Sequence, residues 1–144
     1  MIFSRRHFSL LFSSVAAYGA ALQEKLSQIL PSKVYHSKEI AYEGDEHKKG
    51  RQFFLGANRS EFNLEMHETI LGAGTATHAP HRHEHEEVVI VFEGTVEVFL
   101  EGKTENAEAG SVIYFASNQL HSARNAGTTP CRYYVMELRG ANAN

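Results

Sequence analysis

Four histidines, His78, His81, His83 and His85, fall within eight residues, and one more, His121, is the only histidine that follows them. His81 and His83 are two apart, so in an extended segment their side chains leave on the same face and both imidazoles can reach one ion. Glu87 has the same parity and brings a carboxylate to that side. Two imidazoles and a carboxylate suit Fe, Mn, Ni, Cu, Co or Zn, and an open site of this composition is the arrangement of the non-haem iron oxygenases. A further distant histidine would complete four protein ligands, and His121 is the one histidine after the cluster, following a turn and beginning a short strand. A histidine cluster among glutamates also has a plain reading as a solvated loop. His85 shares the parity of His81 and His83 and rivals His83 as a ligand or supports it from outside, but, flanked by Glu84 and Glu86, it is read as such an exposed loop residue. His78 belongs to the loop leading in, and Arg82 points away from the ligands. Glu86 replaces Glu87 only if the strand slips by one residue.

Short strands must hold these groups. After Pro31 helical spacing disappears, and apolar runs alternate with turn residues at intervals of roughly eight to twelve, the pattern of a sandwich or barrel. The expected strands are residues 52–55, 62–71, 88–92, 95–100, 111–115, 121–125 and 132–138, with turns at Glu93-Gly94, Glu101-Gly102, Ala109-Gly110 and Gly127. The charged stretch from Gly44 to Arg51 reads as an exposed loop. The run Val88 to Phe92 is apolar on both faces, so something must cover its outer side, and a partner subunit does so in a homodimer. On the strand from Phe62, Glu65, His67 and Thr69 share one face and Leu64, Met66, Glu68 and Ile70 the other, either of which can line a cavity. Glu68 reads as edge-exposed, with a catalytic base the less common alternative. Phe92, Phe99, Tyr114, Phe115, Tyr133 and Met136 are expected in the core, and Cys131 as a small buried residue.

Gly74, His81-Arg82-His83, Glu87 and Gly94, followed by Gly110, Ala116, Asn118, His121 and Asn125, resemble the two conserved motifs of the cupins. Every interval of the second motif fits. Ala116 stands where proline is usual and Asn118 where a second glycine is usual, an exchange made mild by the tolerance of asparagine for left-handed backbone. In the first motif six residues rather than five separate Gly74 from His81. The resemblance implies an all-β cupin barrel, a jelly roll or double-stranded β-helix, with His81, His83, Glu87 and His121 holding one divalent transition metal ion (Fe, Mn, Ni, Cu or Zn). It also implies open coordination positions for a small-molecule substrate, as in dioxygenase or isomerase chemistry, or for a bound ligand in a protein without catalysis. Cupins host many reactions, so the fold does not select one.

The chain has 144 residues, enough for one domain with a real core, and 42% of them are hydrophobic. Its net charge of -3 offers no cationic excess for nucleic acid. A single cysteine excludes an intrachain disulfide, a zinc ribbon and a CxxC redox pair, and no helix-turn-helix segment is evident. At the N-terminus, Arg5-Arg6 precede an uncharged, largely apolar run from Leu10 to Ala21, the layout of a signal peptide and too short for a membrane span. Ser4-Arg5-Arg6-His7-Phe8 resembles a bacterial twin-arginine export signal. Residues 1–30 are therefore expected to be a helical leader and linker, and residues 31–144 the barrel. The expected destination is the periplasm, without stable membrane anchoring after removal of the leader.

Overall fold

The computed structural model describes residues 29–140, and the leader expected before them lies outside the described residues apart from its last two positions. Among the described residues a 3-10 turn at Ser37–Glu39 precedes nine strands: β1 (Glu43–Gly44), β2 (Lys48–Ala57), β3 (Asn63–Leu71), β4 (Glu86–Glu93), β5 (Thr95–Leu100), β6 (Lys103–Glu108), β7 (Val112–Phe115), β8 (His121–Arg124) and β9 (Cys131–Arg139). They form a six-stranded sheet in the order β1-β2-β3-β9-β4-β7 and a three-stranded sheet in the order β6-β5-β8. Strand pairing is antiparallel throughout both sheets. This is the expected all-β jelly roll.

The turns follow local chemistry. Gly94, between β4 and β5, has φ +77°, and a Cβ there would sit 2.9 Å from the Cα of Cys131, so the position requires glycine on two counts. Asn118 takes the left-handed conformation expected of it, with φ 61°.

One expectation about strands fails, and one strand was not expected. The stretch from Gly44 to Arg51 is no loop: it turns back at Asp45, whose carboxylate accepts the backbone N–H groups of His47 and Lys48, and enters β2. Lys48 and Lys49 remain on the surface and Arg51 turns in to Glu68 while the backbone pairs with β3, so polarity concealed a paired strand. For the same reason β6, a polar segment paired with β5 alone, carried no hydrophobic signal.

Inside the barrel, polarity grades along the axis. The inward residues of β9 run Cys131, Tyr133, Val135, Glu137, and those of β3 run Leu71, Thr69, His67, Glu65 against them. At one end Leu71, Val89, Val91, Val96, Val98, Phe115, Cys131, Tyr133 and Val135 form the buried core. At the other a cavity of about 780 Å³ opens, lined by histidines and glutamates. The alternation of period two thus sends one face of each strand inward, and position along the strand decides whether that face is core or cavity.

The outer face of the large sheet is apolar and open. Ile90, Phe92, Val112 and Tyr114 on β4 and β7 are 40%, 56%, 66% and 52% exposed, so Phe92 and Tyr114 are not core residues and the described residues leave the Val88 to Phe92 run uncovered. Glu68 corrects the opposite way: it is wholly buried rather than edge-exposed. Its carboxylate accepts from Arg51 Nε at 2.5 Å and Tyr42 Oη at 3.0 Å, and Arg132 lies 3.6 Å away. Those partners come from three segments distant in sequence, beyond the reach of local pattern.

Candidate metal centre

His81 does not lie on a strand. It makes a two-way backbone bridge to His121, N–H to O at 3.0 Å in both directions, and the His83 carbonyl accepts the Asn118 N–H at 2.7 Å. The left-handed turn at Asn118 therefore stitches the His81–His83 segment to the start of β8. Glu87 is the second residue of β4 and faces inward, while Glu86 is exposed.

The four residues expected as ligands come together. Ring centroids are 4.8 Å apart for His81 and His121, 4.6 Å for His83 and His121, and 5.2 Å for His81 and His83. One ring nitrogen from each of the three lies within 4.8 Å of the others, close to the roughly 3–4 Å between donors that share an ion at bond lengths near 2 Å. Glu87 Oε2 is 3.3 Å from His83 Nε2 and 3.9 Å from His121 Nε2.

The outer nitrogens fix the rings. His83 Nδ1 is 2.8 Å from the His85 carbonyl and His121 Nδ1 is 2.8 Å from the Gln119 carbonyl, so each Nδ1–H donates outward and each Nε2 presents a lone pair inward. Phe115 stacks on His121 at 4.1 Å and holds its plane. Among the described residues, His81 Nδ1, His83 Nε2 and His121 Nε2 are shut off from solvent and have no hydrogen-bond partner. Leaving such a group unpaired costs about 1–3 kcal/mol each, and a shared cation is the partner that would relieve all three. The donor set therefore fits a transition metal ion.

Electrostatics point the same way. Burial, then the neighbouring His78, His121 and His83, holds the His81 pKa below the ordinary imidazole range. Burial likewise lowers His121. Both rings are thus kept neutral, the form that ligates. Burial and then Glu137 raise the Glu87 carboxyl, with His83 opposing.

His85 is not an exposed loop residue. Its ring stacks on His83 at 3.6 Å with planes 5° apart, and its Nε2 is 3.2 Å from Glu137 Oε2. His83, His85 and Glu87 also form a group with metal-ligand spacing, so His85 competes for the ion on geometry. Its nearness to a carboxylate on β9 was invisible in the local sequence. His78 is exposed on the loop leading in, its ring 4.0 Å from that of His81. Arg82 points away, as expected, to Glu101 at 2.6 Å and to the Asn118 carbonyl.

The parity argument also leaves out Glu137, which joins Glu65 and His67 on the cavity wall. The alternation along β9 from Cys131 was the signal that would have found it.

Residues 67–137 match the Cupin_2 cupin domain family. Among curated proteins none matches the sequence. Solved structures share the fold. An RmlC-like cupin from Shewanella frigidimarina superposes with a TM-score of 0.64 at 19% identity, over 80% of this chain and 96% of that one. KdgF from a Halomonas species gives 0.60 at 17% identity, over 74% and 94%. A predicted oxalate decarboxylase from Thermotoga maritima gives 0.60 at 18% identity, over 74% and 99%.

Proposed function

We propose that this chain, a cupin over residues 67–137, is a metal-dependent enzyme that acts on a small organic molecule at a centre formed by His81, His83, His121 and Glu87. The observation that carries the reading is the convergence of three solvent-shielded, unpartnered imidazole nitrogens at an open cavity of about 780 Å³. A bound divalent metal would polarise a substrate oxygen, acidify a water or, as Fe or Mn, support dioxygen chemistry. Four protein donors leave one or two positions of a five- or six-coordinate ion for the substrate. The chain's own part is to orient the imidazoles, through the His85 and Gln119 carbonyls and the Phe115 ring, to keep those of His81 and His121 neutral by burial, and to offer a substrate-sized space lined by acceptors. A protein that only sequesters metal needs a closed site, and the open cavity favours a substrate. Oxygenase, isomerase and decarboxylase chemistry all remain within this reading, and the dioxygenase class is the one to screen first.

The deciding experiment is elemental analysis of protein purified from its native host without chelator. About one equivalent of Fe or Mn per chain supports oxygen-activating chemistry and directs a substrate screen under oxygen. Zn or Cu redirects it to hydrolytic or isomerase chemistry, and a folded barrel without metal overturns the reading.

Two further elements complete the proposal. The exposed face bearing Ile90, Phe92, Val112 and Tyr114 supports a homodimer, since an apolar patch of this kind is seldom left to water. The twin-arginine-like leader supports export of the folded, metal-loaded protein to the periplasm, and undiminished export after Arg5→Lys and Arg6→Lys would refute that route.

A further inference from the structure

A second group of donors lies on the same cavity wall. In the strand register Glu65 faces Glu137, and Glu137 faces Glu87, so three carboxylates stand side by side across β3, β9 and β4. Like charges directly opposite one another destabilise a sheet. One cation among the described residues lies against this row: Arg139 Nη2 is 2.5 Å from Glu137 Oε2 and 3.3 Å from Glu65 Oε2. One guanidinium against Glu65 and Glu137 leaves a negative charge over.

His67 stands two residues along β3 from Glu65. Its Nδ1 lies 3.3 Å from Glu65 Oε1, yet the contact lacks hydrogen-bond geometry, and this nitrogen is closed to solvent without a partner. His83 Nε2 and Glu87 Oε2 show the same relation at the same separation. In both pairs a nitrogen closed to solvent lies beside a carboxylate oxygen without a hydrogen bond between them. A donor atom from each of Glu65, His67 and Glu137 lies within 4.8 Å of the others, as in the His81, His83 and His121 group.

The geometry points to a second divalent cation site, formed by Glu65, His67 and Glu137 beside the first centre. Arg139 and Gln52, whose Nε2 donates to Glu65 Oε1 at 3.1 Å, hold the carboxylates in place as outer partners. Two carboxylate oxygens and one imidazole are hard to borderline donors, suited to Mn, Fe or Zn in the divalent state, and the absence of thiolate disfavours Cu(I). Three protein donors leave the rest of a six-coordinate shell to water or to a ligand in the cavity. His85 Nε2, 3.2 Å from Glu137 Oε2 and stacked on His83, stands between the two sites. A ligand in the cavity would then meet two ions.

The test is the stoichiometry of Mn2+ alone, measured by equilibrium dialysis and elemental analysis on chelator-stripped protein whose fold is checked by circular dichroism. Wild type should bind two equivalents per chain. His67→Ala should bind one, as should His121→Ala. The isosteric Glu65→Gln should weaken one equivalent by about ten-fold or more, in keeping with the effect of losing a ligand or its support. One equivalent in wild type that His121→Ala abolishes would overturn the second site and leave the first standing. One equivalent that only His67→Ala abolishes would overturn the first and leave the second. Two equivalents untouched by His67→Ala and Glu65→Gln would also overturn the second site.

Discussion

Replacing Asn125 by alanine should destabilise the barrel without reaching the metal centre directly. The side chain is wholly buried. Its Nδ2 donates to the Leu71 carbonyl at 2.9 Å and the Thr129 carbonyl at 2.8 Å, and its Oδ1 accepts the Gly127 N–H at 2.9 Å. It thus ties the end of β3 and the β8–β9 connection together. Alanine removes three hydrogen bonds worth about 1 kcal/mol each and withdraws a donor from the carbonyl of the wholly buried Leu71. The expected loss is about 3 kcal/mol, or roughly 12 °C in Tm at about 4 °C per kcal/mol for a domain of this size. Urea unfolding followed by circular dichroism, with an unchanged slope, measures it. Asn125→Asp sharpens the test. An ionised carboxylate keeps only the Gly127 N–H and faces two carbonyl oxygens, so the folded state favours the protonated acid and raises its pKa above the unfolded value near 4. A group raised on folding stabilises below its unfolded pKa and loses that contribution as pH rises through the folded pKa. The Asn125→Asp deficit should therefore be smallest below about pH 4 and grow upward. A loss under 1 kcal/mol in the alanine variant, or a deficit independent of pH in the other, would refute this account of the position.

Other outcomes follow from the same structure. His121→Ala and His83→Ala should each lose most of the metal held at the first centre while His85→Ala retains it; equal loss in the His85 variant would move the centre to His83, His85 and Glu87. Glu68→Ala, which strands Arg51 and Arg132 beside a buried site, should cost about 3–5 kcal/mol in denaturant unfolding, and Glu68→Gln less because the Tyr42 contact can persist. Phe92→Glu together with Val112→Lys should convert a dimer to a monomer in sedimentation analysis with the fold intact; a monomeric wild type would refute the proposed interface.

The spacing of residues in the chain already carried much of the architecture. The apolar run of β4, the turn at Gly94 and the tolerance of Asn118 for left-handed backbone are properties of a few consecutive residues, and β5 falls at its expected limits. Cys131, Phe115 and Tyr133 are buried as expected. Where polarity and pairing disagree, the local signal misled: Lys48 to Arg51 and Lys103 to Glu108 look like loops because a strand can keep its backbone pairing while most of its side chains are polar.

Parity alone placed His81, His83 and Glu87 on one side, although His81 and His83 prove to be held by a bridge to β8 rather than by a strand of their own. What joined His121 to them was the turn at Asn118 and the pairing of distant segments. The row of Glu65, Glu137 and Glu87, the stacking of His85 on His83 and the burial of Glu68 between Arg51 and Arg132 have the same origin. The sequence by itself determined which face each side chain takes, because that follows from a backbone period of two. Only the tertiary structure decided which faces meet, because register across strands is set by contacts between residues far apart in the chain, where a slip of one position exchanges the interior for the surface.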